Sequence, residues 1–440
     1  MSNPKHRGVV ALLLGLALFA AASSLAVRAT ELHPGLTAPL CFGAVVAAAL
    51  LISWGAEAAQ FFVSQGLAVA FIALLQVVPE FMVEAVIAWQ AGRDGRVDLV
   101  FANASGSNRL LTGFGWPLIF FVTDFYHRRK HGRPLDAIRL GSQHAIEIVA
   151  LLFASSWYLV LIWKETLTLL DSAVLGGAFV GYLWLLNRLP AQEEEGKEEL
   201  LAPPRFIVEL ERRWLRRAVL IGLFALGGVV MWAVAHPFLV AMEHVAVAMG
   251  VSQFAFVQWV APFLTEFPEK VTAIYWSRTV KLAPMALLNM VSSTVNQFTA
   301  LVAMIPIAYA LSVGQPTPIV MDPLHRTEIF LSFATTLYGV ACLLKFRFTR
   351  VNAVVMLTLF VLQFLYKGPI DVPRIGSPGT GFDLPPIEAH LAVAWAYVAL
   401  SVAEVSRHGR EIQMGRALRE TFAAMRRAPA ILPPRAGGGR

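Results

Sequence analysis

The feature that most constrains this sequence is a carboxylate inside a long apolar run, and it occurs twice. Residues 78–111 read VPEFMVEAVIAWQAGRDGRVDLVFANASGSNRLL, and residues 267–298 read FPEKVTAIYWSRTVKLAPMALLNMVSSTVNQF. Each stretch places a Pro-Glu pair ahead of a cluster of Asn and Ser residues. A carboxylate at the centre of a membrane costs roughly 2.5 kcal/mol or more, so it is rarely incidental. Two such sites in two halves of one chain predict a transporter with internal repeats, whose site lies where the repeats meet.

The composition indicates the solvent in which this chain folds. Of its 440 residues, 57% are hydrophobic and only 15% are charged, with a mean hydropathy of +0.62. Soluble domains carry about 25% charged residues. We therefore predict an all-α polytopic membrane protein, because helices satisfy the backbone within a bilayer. The net charge of +7 lies in short loops that set orientation. We expect the lipid bilayer and inorganic cations as partners, with no nucleic acid and no cofactor.

The apolar runs predict about twelve transmembrane helices, because about twenty apolar residues span a bilayer. The runs are residues 8–27, 35–55, 58–91, 97–125, 144–163, 167–187, 218–249, 251–277, 283–311, 327–344, 350–366 and 389–405. The first run is either a retained helix or a cleaved signal, and both interpretations keep the same orientation for the other spans. The run 218–249 is long enough that it must tilt strongly or break near Pro237.

The basic residues predict the orientation of these helices. With the N-terminus inside, every large basic cluster falls on the cytoplasmic side, as the positive-inside rule requires, with Arg93 and Arg96 as the weak exception. The first Pro-Glu span then runs outward and the second runs inward. We therefore predict two inverted five-helix repeats with an extra helix at each end. The predicted location is the inner (cytoplasmic) membrane, with multiple passes and both termini in the cytoplasm.

The same pattern divides the chain into five segments. They are an N-terminal helix (1–34), a first repeat (35–189), a charged cytoplasmic linker (190–216), a second repeat (217–367), and an outer loop with the last helix and a basic tail (368–440).

The repeated stretch has the chemistry of a cation site. Proline removes a backbone donor, so each Pro-Glu helix is expected to kink or break and to free carbonyl oxygens. Those oxygens, the adjacent carboxylate, and the Ser and Asn oxygens of the following helix are ligands for hard cations. Such a site suits sodium, calcium or protons. Zinc is disfavoured because no His/Cys cluster accompanies it.

Each copy carries a second glutamate near the first. Glu84 lies four residues after Glu80, and Glu266 lies three residues before Glu269, so each pair shares a helix face. Clustered carboxylates in a dry site cannot all ionise without cations, and we therefore expect Glu84 or Glu266 to carry protons. The alternative is that each faces a water-filled mouth or pairs with a basic residue such as Lys270.

At these residues the chain resembles the calcium:cation antiporter superfamily, which includes the sodium/calcium and calcium/proton exchangers. That family carries two inverted repeats with patterns close to GTSxPELxxS and GNxxGSNxxN. Residues 78–81 and 267–270 match the Pro-Glu pattern. Residues 102–108 match the second pattern apart from Ala102 for its first Gly, and residues 288–294 match it more loosely.

The resemblance implies roles for these residues. Glu80 and Glu269 would be the central ligands of the metal cation. The further cation-binding groups would be Ser107, Ser293, Thr265, Asn103, Asn289 and Gln297. The sequence departs from the family pattern at Gln76-Val77, where the family has Thr-Ser, and at Glu266, where the family has Ser.

The resulting hypothesis is a secondary active cation antiporter that exchanges Ca²⁺ for Na⁺ or H⁺ by alternating access, rather than an enzyme. A proton-coupled Na⁺ or K⁺ exchanger is the alternative within transport. A scaffold homologue that does not transport, or an intramembrane enzyme, is the alternative of another class. The enzyme is disfavoured because the sequence has neither an HExxH nor a GxSxG motif. The sequence is compatible with any oligomeric state.

Overall fold

The computed structural model of the chain describes residues 4–29, 33–59, 61–62, 78–141, 144–188, 200–365, 369–370 and 387–426. Nearly all of these residues are helical. The α-helices are α1 (Pro4–Ala29), α2 (Pro34–Ala59), α3 (Val78–Asp94), α4 (Val97–Arg109), α5 (Trp116–His131), α6 (His144–Lys164), α7 (Leu169–Leu186), α8 (Ala202–Val208), α9 (Arg213–Ala248), α10 (Gln253–Thr265), α11 (Phe267–Trp276), α12 (Ala283–Asn296), α13 (Val302–Val313), α14 (Pro323–Leu343), α15 (Arg350–Leu365), α16 (Ala389–Arg407) and α17 (Met414–Arg426).

Short π-helical and extended segments connect these helices. A π-helix, Leu110–Gly115, joins α4 to α5, and a second, Gln297–Leu301, joins α12 to α13. The strands are β1 (Ala137–Arg139), β2 (Thr166–Leu167), β3 (Ile319–Val320), β4 (Arg347–Thr349), β5 (Pro369–Ile370) and β6 (Ile387–Glu388).

Seven helical segments within the described ranges are long and apolar enough to cross a membrane. They are Arg7–Ala29, Gly35–Ala59, His144–Lys164, Leu169–Leu186, Arg213–Ala248, Ala283–Val313 and Ala389–Arg407, with the shorter apolar helix Arg350–Leu365 beside them. Large apolar side chains remain on the outer surface, including Trp163 at 84% exposure and Leu18 at 69%. An apolar outer surface of this kind suits lipid, so the predicted class of helical membrane protein is confirmed.

The long helix α9 passes through Pro237 without a break. Proline removes the hydrogen bond that the carbonyl of Ala233, four residues earlier, would otherwise accept. In this fold the Nε group of Arg28 on α1 donates to that carbonyl at 3.1 Å. Of the two alternatives predicted for residues 218–249, a strong tilt or a break near Pro237, the break does not occur, because a side chain from a neighbouring helix satisfies the freed oxygen.

The second Pro-Glu stretch does break its helix, as predicted. The helix α10 ends at Thr265 and α11 begins at Phe267, and Glu266 between them leaves the helical conformation with φ −90° and ψ 1°. In the first copy, α3 begins at Val78, directly before the Pro-Glu pair. The first part of the predicted span 58–91, including Gln76-Val77, lies largely outside the described residues.

The strand pairings link the two halves of the chain reciprocally. Strand β1 connects α5 to α6 and pairs antiparallel with β4, which connects α14 to α15. Strand β2 connects α6 to α7 and pairs antiparallel with β3, which connects α13 to α14. The two strands that flank α6 in the first half therefore pair with the two strands that flank α14 in the second half.

Two segments contain more helix than the predicted division of the chain implies. Within the predicted linker, α8 buries Pro203, Pro204, Ile207 and Val208, and α9 already begins at Arg213. Within the predicted basic tail, α17 packs against α6 and buries Ala417, Thr421 and Ala424. Charged composition predicted a linker for the first segment and a tail for the second, but a narrow apolar face is enough to dock each of these helices.

Candidate cation site

A serine of the first half contacts carboxylates from both halves. The hydroxyl of Ser107 on α4 is hydrogen-bonded to Oε1 of Glu80 on α3. The same hydroxyl lies 2.6 Å from Oε1 of Glu266, at the break between α10 and α11. All three residues are buried. The two Pro-Glu stretches thus meet at one point in the interior, as the repeat pattern predicts.

The second half repeats the pairing of the first. Ser293 on α12 donates its hydroxyl hydrogen to Oε2 of Glu269 at 2.7 Å. In each half, therefore, the serine of the second pattern bonds to the glutamate of the Pro-Glu pair. Glu80 of the first half also lies close enough to Glu266 and Glu269 of the second half for their charges to interact. These glutamates form one carboxylate cluster rather than two separate sites.

Glu266 makes more contacts than any other member of this cluster. Its Oε2 accepts from the ammonium of Lys270, one turn further along, at 2.5 Å, and both side chains are buried. Its Oε1 also accepts from the amide of Gln297 at 2.7 Å. Of the two possibilities open for Glu266, pairing with Lys270 is therefore the one that the structure contains. A buried carboxylate needs such partners because its desolvation is otherwise uncompensated.

Glu84 has a different environment. Its Oε2 accepts a hydrogen bond from the side-chain amide of Asn103, and its Oε1 has no hydrogen-bond partner among the described residues. The side chain is fully buried, and no basic residue in the described ranges pairs with it. The predicted ligand Asn103 thus bonds to Glu84 rather than to Glu80.

Two of the predicted ligands are not joined to the carboxylates by hydrogen bonds. The hydroxyl of Thr265 donates to the carbonyl of Ala261 in its own helix at 3.0 Å, as buried threonines in helices often do. The amide nitrogen of Asn289 is buried and has no hydrogen-bond partner in the described part of the chain.

Sequence reasoning missed one further glutamate beside the cluster. Glu57 on α2 is buried and accepts a hydrogen bond from Thr272 on α11 at 2.7 Å. Thr272 follows Glu269 by three residues and so lies on the same face of α11. A charge within the apolar sequence ISWGAEAA was the available signal.

In each half, a π-helix follows the Asn/Ser segment that was compared with the second family pattern. The segment Leu110–Gly115 begins three residues after Ser107, and the segment Gln297–Leu301 begins four residues after Ser293. A π-helical turn redirects the side chains that follow it, and such turns occur frequently at functional sites. Gln297, which bonds to Glu266, is the first residue of the second π-helix.

The ligand chemistry of the cluster is that of oxygen donors. Among the described residues, no group of three or more His, Cys, Asp or Glu side chains is arranged to hold a metal ion. The groups that do meet here are carboxylates and hydroxyls, and such oxygen donors are the ligands that hard cations prefer.

Buried carboxylates that both halves of a helical membrane protein contribute are typical of ion transporters. Comparison with known families agrees with this assignment: the sodium/calcium exchanger protein family matches residues 32–187 and 219–367, and the chain belongs to that family. The resemblance seen in the sequence motifs is therefore confirmed. The family consists of transporters and exchangers, which supports the prediction that the protein is not an enzyme.

Solved structures share this fold. The H⁺/Ca²⁺ exchanger CAX is similar over 96% of this chain and 99% of its own, with 27% identity and a TM-score of 0.83. YfkE, at 15% identity and a TM-score of 0.57, covers 80% of this chain and 98% of its own. The sodium-calcium exchanger NCX_Mj, at 16% identity and a TM-score of 0.50, covers 76% and 99%. No curated protein sequence matches the chain.

Proposed function

We propose that the protein is a secondary active antiporter that exchanges Ca²⁺ for H⁺ by alternating access at the Glu80/Glu269 cluster. The observation that carries this proposal is the contact of one hydroxyl, that of Ser107, with Glu80 of one half and Glu266 of the other. A site made by both halves is what rocking of one half against the other would expose to each side in turn.

The charge of the cluster favours a divalent cation. The three glutamates of the cluster (Glu80, Glu266 and Glu269) and the buried Glu84, each −1 when ionised, together with the buried Lys270 at +1, leave a formal charge of −3 before Glu57 is counted. A charge of this size in a dry site requires cations or protons. We propose Glu80 and Glu269 as the metal ligands, with Ser107 and Ser293 as side ligands and Asn103 and Gln297 as positioning groups.

The hydrogen bonds favour a proton as the counter-ion. A serine hydroxyl has one hydrogen and can donate to only one carboxylate. Glu266 already accepts from Lys270 and Gln297, which is the environment of an ionised group. The hydroxyl of Ser107 therefore donates to Glu266 and accepts from a proton on Glu80. Ca²⁺ and H⁺ would then compete for the same carboxylate, with Glu84 as a further proton carrier.

Two further observations favour the proton over sodium. The hydroxyl of Thr265, a predicted neutral ligand, is bonded within its own helix. Neutral oxygens are what a second, monovalent metal cation would need in addition to the carboxylates. The relative that covers almost the whole chain at 27% identity is named as an H⁺/Ca²⁺ exchanger.

The reciprocal strand pairings support the proposed topology. Pairing of β1 with β4 and of β2 with β3 brings together the connections expected on one side of the membrane only if the halves are inverted. We propose about twelve spans, with inverted repeats in residues 35–189 and 217–367. We further propose an inner-membrane location with both termini in the cytoplasm, from the distribution of Lys and Arg.

Radiolabelled Ca²⁺ uptake into inside-out vesicles tests the function. An inside-acid pH gradient should drive uptake, an imposed Na⁺ gradient at equal pH should not, and Glu80→Gln and Glu269→Gln should each abolish it. Glu165→Gln is the control, because Glu165 is about half exposed and pairs with Arg326 away from the site. Uptake driven by Na⁺ alone, or uptake retained in both site variants, would contradict the proposal.

A further inference from the structure

A second buried polar cluster lies apart from the carboxylate cluster. It consists of Arg109 on α4, Gln258 on α10, Glu328 on α14, Gln363 on α15 and His390 on α16, and we refer to it as the Arg109 cluster. Each of its five members comes from a different helix. Ionisable groups inside a membrane protein are functional candidates because of their cost.

The core of the Arg109 cluster is an ion pair. Nη2 of Arg109 donates to Oε2 of Glu328, and both side chains are fully buried. The same oxygen accepts from Nε2 of Gln258 at 2.6 Å. The guanidinium also lies over the ring of Trp259, 5.2 Å from its centroid. The guanidinium neutralises the ionised carboxylate of Glu328, and the two hydrogen bonds satisfy its oxygen Oε2.

The other oxygen of Glu328 requires a proton that the ion pair does not supply. Nε2 of His390 lies 3.0 Å from the backbone carbonyl of Gln363. A carbonyl only accepts, so Nε2 carries the hydrogen of a neutral imidazole. Nδ1 of His390 lies 2.5 Å from Oε1 of Glu328. Both contacts can be hydrogen bonds at the same time only if each ring nitrogen carries a hydrogen, so the imidazole then holds one proton more than its neutral form.

We propose that His390 and Glu328 bind one exchangeable proton that controls the rate of exchange and is distinct from the transported ions. With this proton the three ionisable groups Arg109, Glu328 and His390 have a net charge of +1, and without it they are neutral. The imidazole is partly exposed, since 14% of the His390 side chain remains uncovered, whereas the Glu328 side chain is fully buried. It belongs to the first turn of α16, next to strand β6.

The contacts define what the proton does. When it is bound, His390 ties the start of α16 to Glu328 of α14 and to the backbone of α15. When it leaves, the neutral imidazole has a single ring hydrogen and can donate either to Glu328 or to the carbonyl of Gln363, so one of the two contacts is lost. The connection between α16 and the rest of the molecule is then weakened at this end, while the Arg109–Glu328 pair remains.

The Arg109 cluster is connected to the carboxylate cluster through two helices. Helix α4 carries Arg109 two residues after Ser107, and α10 carries Gln258 two turns before the break at Glu266. Gly106 packs against the backbone carbonyl of Gln258, so these helices have no room to slide independently. Loss of the proton should therefore disturb the Ser107–Glu266 contact and slow transport.

Other titratable or charged groups near the pair are few among the described residues. Arg109 on α4 and His325 at the start of α14 interact with Glu328, and Glu388 directly precedes α16; further out, Asp98 and Asp322 interact with His325, and Tyr397 interacts with Arg109. Of these, Arg109 is the group that bonds to Glu328 directly. The proton is thus assigned to the contact between Glu328 and a single histidine, and replacing that histidine tests the assignment.

The test compares His390→Gln with His408→Gln in full-length protein reconstituted into liposomes. Glutamine can still donate to the Gln363 carbonyl, but it cannot titrate. His408 is the matched control, since it follows the other end of α16 and lies 3.6 Å from a glutamate, Glu404. Two readouts are taken: Ca²⁺ uptake against pH on each side separately, and the ¹⁵N imidazole spectrum of labelled protein without Ca²⁺.

We expect the wild type and His408→Gln to share a pH step from one side of the membrane, with uptake falling about tenfold per pH unit above its midpoint. His390→Gln should lose this step, to within about twofold over the same range. The doubly protonated imidazole signal should disappear in His390→Gln alone. An unchanged step in His390→Gln, or a His390 signal that does not titrate, would overturn the proposal.

The part of this proposal that concerns the rate of exchange rests on the proposed function, whereas the binding of a proton by His390 and Glu328 does not. If the wild type carries no Ca²⁺, the proposed function fails, and the imidazole spectrum still decides whether His390 and Glu328 hold the proton.

Discussion

The close approach of α4 to α10 makes Gly106→Ala a sharp test of the cation site. Pro262 removes the N–H that would bond to the carbonyl of Gln258 four residues earlier, and that carbonyl points at Gly106 instead. A Cβ atom on residue 106 would lie 1.8 Å from the carbonyl oxygen. Cβ atoms essentially never approach other atoms within 3.0 Å, so α4 and α10 must separate by at least 1.2 Å.

This displacement should reach the site, because the next residue is Ser107. Its hydroxyl lies 2.6 Å from Glu266, and a rigid separation of 1.2 Å would lengthen the contact to about 3.8 Å, beyond hydrogen-bond range. Overpacking of a core costs about 1–3 kcal/mol. Loss of a hydrogen bond to a charged group costs about 1.5–3 kcal/mol. The two costs together give an expected destabilisation of about 2.5–6 kcal/mol, and we expect at least a tenfold loss of Ca²⁺ uptake.

Thermal unfolding in detergent and vesicle uptake measure the two effects. Gly177→Ala is the matched control, because Gly177 lies in α7 and a Cβ there would meet nothing within 4 Å. In that helix the substitution should be neutral or stabilising by about 1 kcal/mol. If Gly106→Ala unfolds and transports like Gly177→Ala, the proposed role of the α4–α10 contact in holding Ser107 is refuted.

Three further substitutions test the buried charges and one predicted ligand. Lys270→Met should destabilise the protein by about 3–5 kcal/mol because Glu266 loses its charge partner, whereas the double variant with Glu266→Gln should recover most of this in denaturant unfolding. Arg109→Met should cost a similar amount, about 3–5 kcal/mol, and adding Glu328→Leu should restore stability; equal stability of single and double variants would refute the ion pair. Thr265→Val should leave the Ca²⁺ affinity measured by uptake within about twofold of the wild-type value, since the hydroxyl of Thr265 bonds within its own helix. A tenfold loss of affinity would instead indicate that Thr265 is a ligand.

Some of the site follows from the sequence because the interactions are repeated in each half. Each Pro-Glu glutamate bonds to the serine of the pattern that follows it, Ser107 for Glu80 and Ser293 for Glu269, and the family resemblance had implied that these four residues lie at one site. Thr265 also matched its motif, yet its hydroxyl turned to the helix backbone. A motif predicts which residues lie near the site, but the local hydrogen bonds decide where each side chain points.

Glu266, which departs from the family pattern, and Pro237 show more clearly what the sequence could not predict. Glu266 was conspicuous as a glutamate in place of a serine, but its roles as partner of Lys270 and neighbour of Ser107 depend on how α4 meets α10. The uninterrupted course of α9 through Pro237 likewise depends on Arg28, which lies 205 residues away from the carbonyl it satisfies. Neither contact has a signal in the local sequence.

The sequence by itself determined the class of this protein and the chemistry of its site. Long apolar runs leave the backbone no choice but helices in lipid, and a carboxylate retained within such a run marks a place where charge is needed. The tertiary structure alone decided which charges meet. Arg109 and Glu328 are 219 residues apart, and Ser107 and Glu266 are 159 apart. Their pairing results from the packing of whole helices, such as α4 on α10 at Gly106, where the energy depends on shape and not on residue type alone.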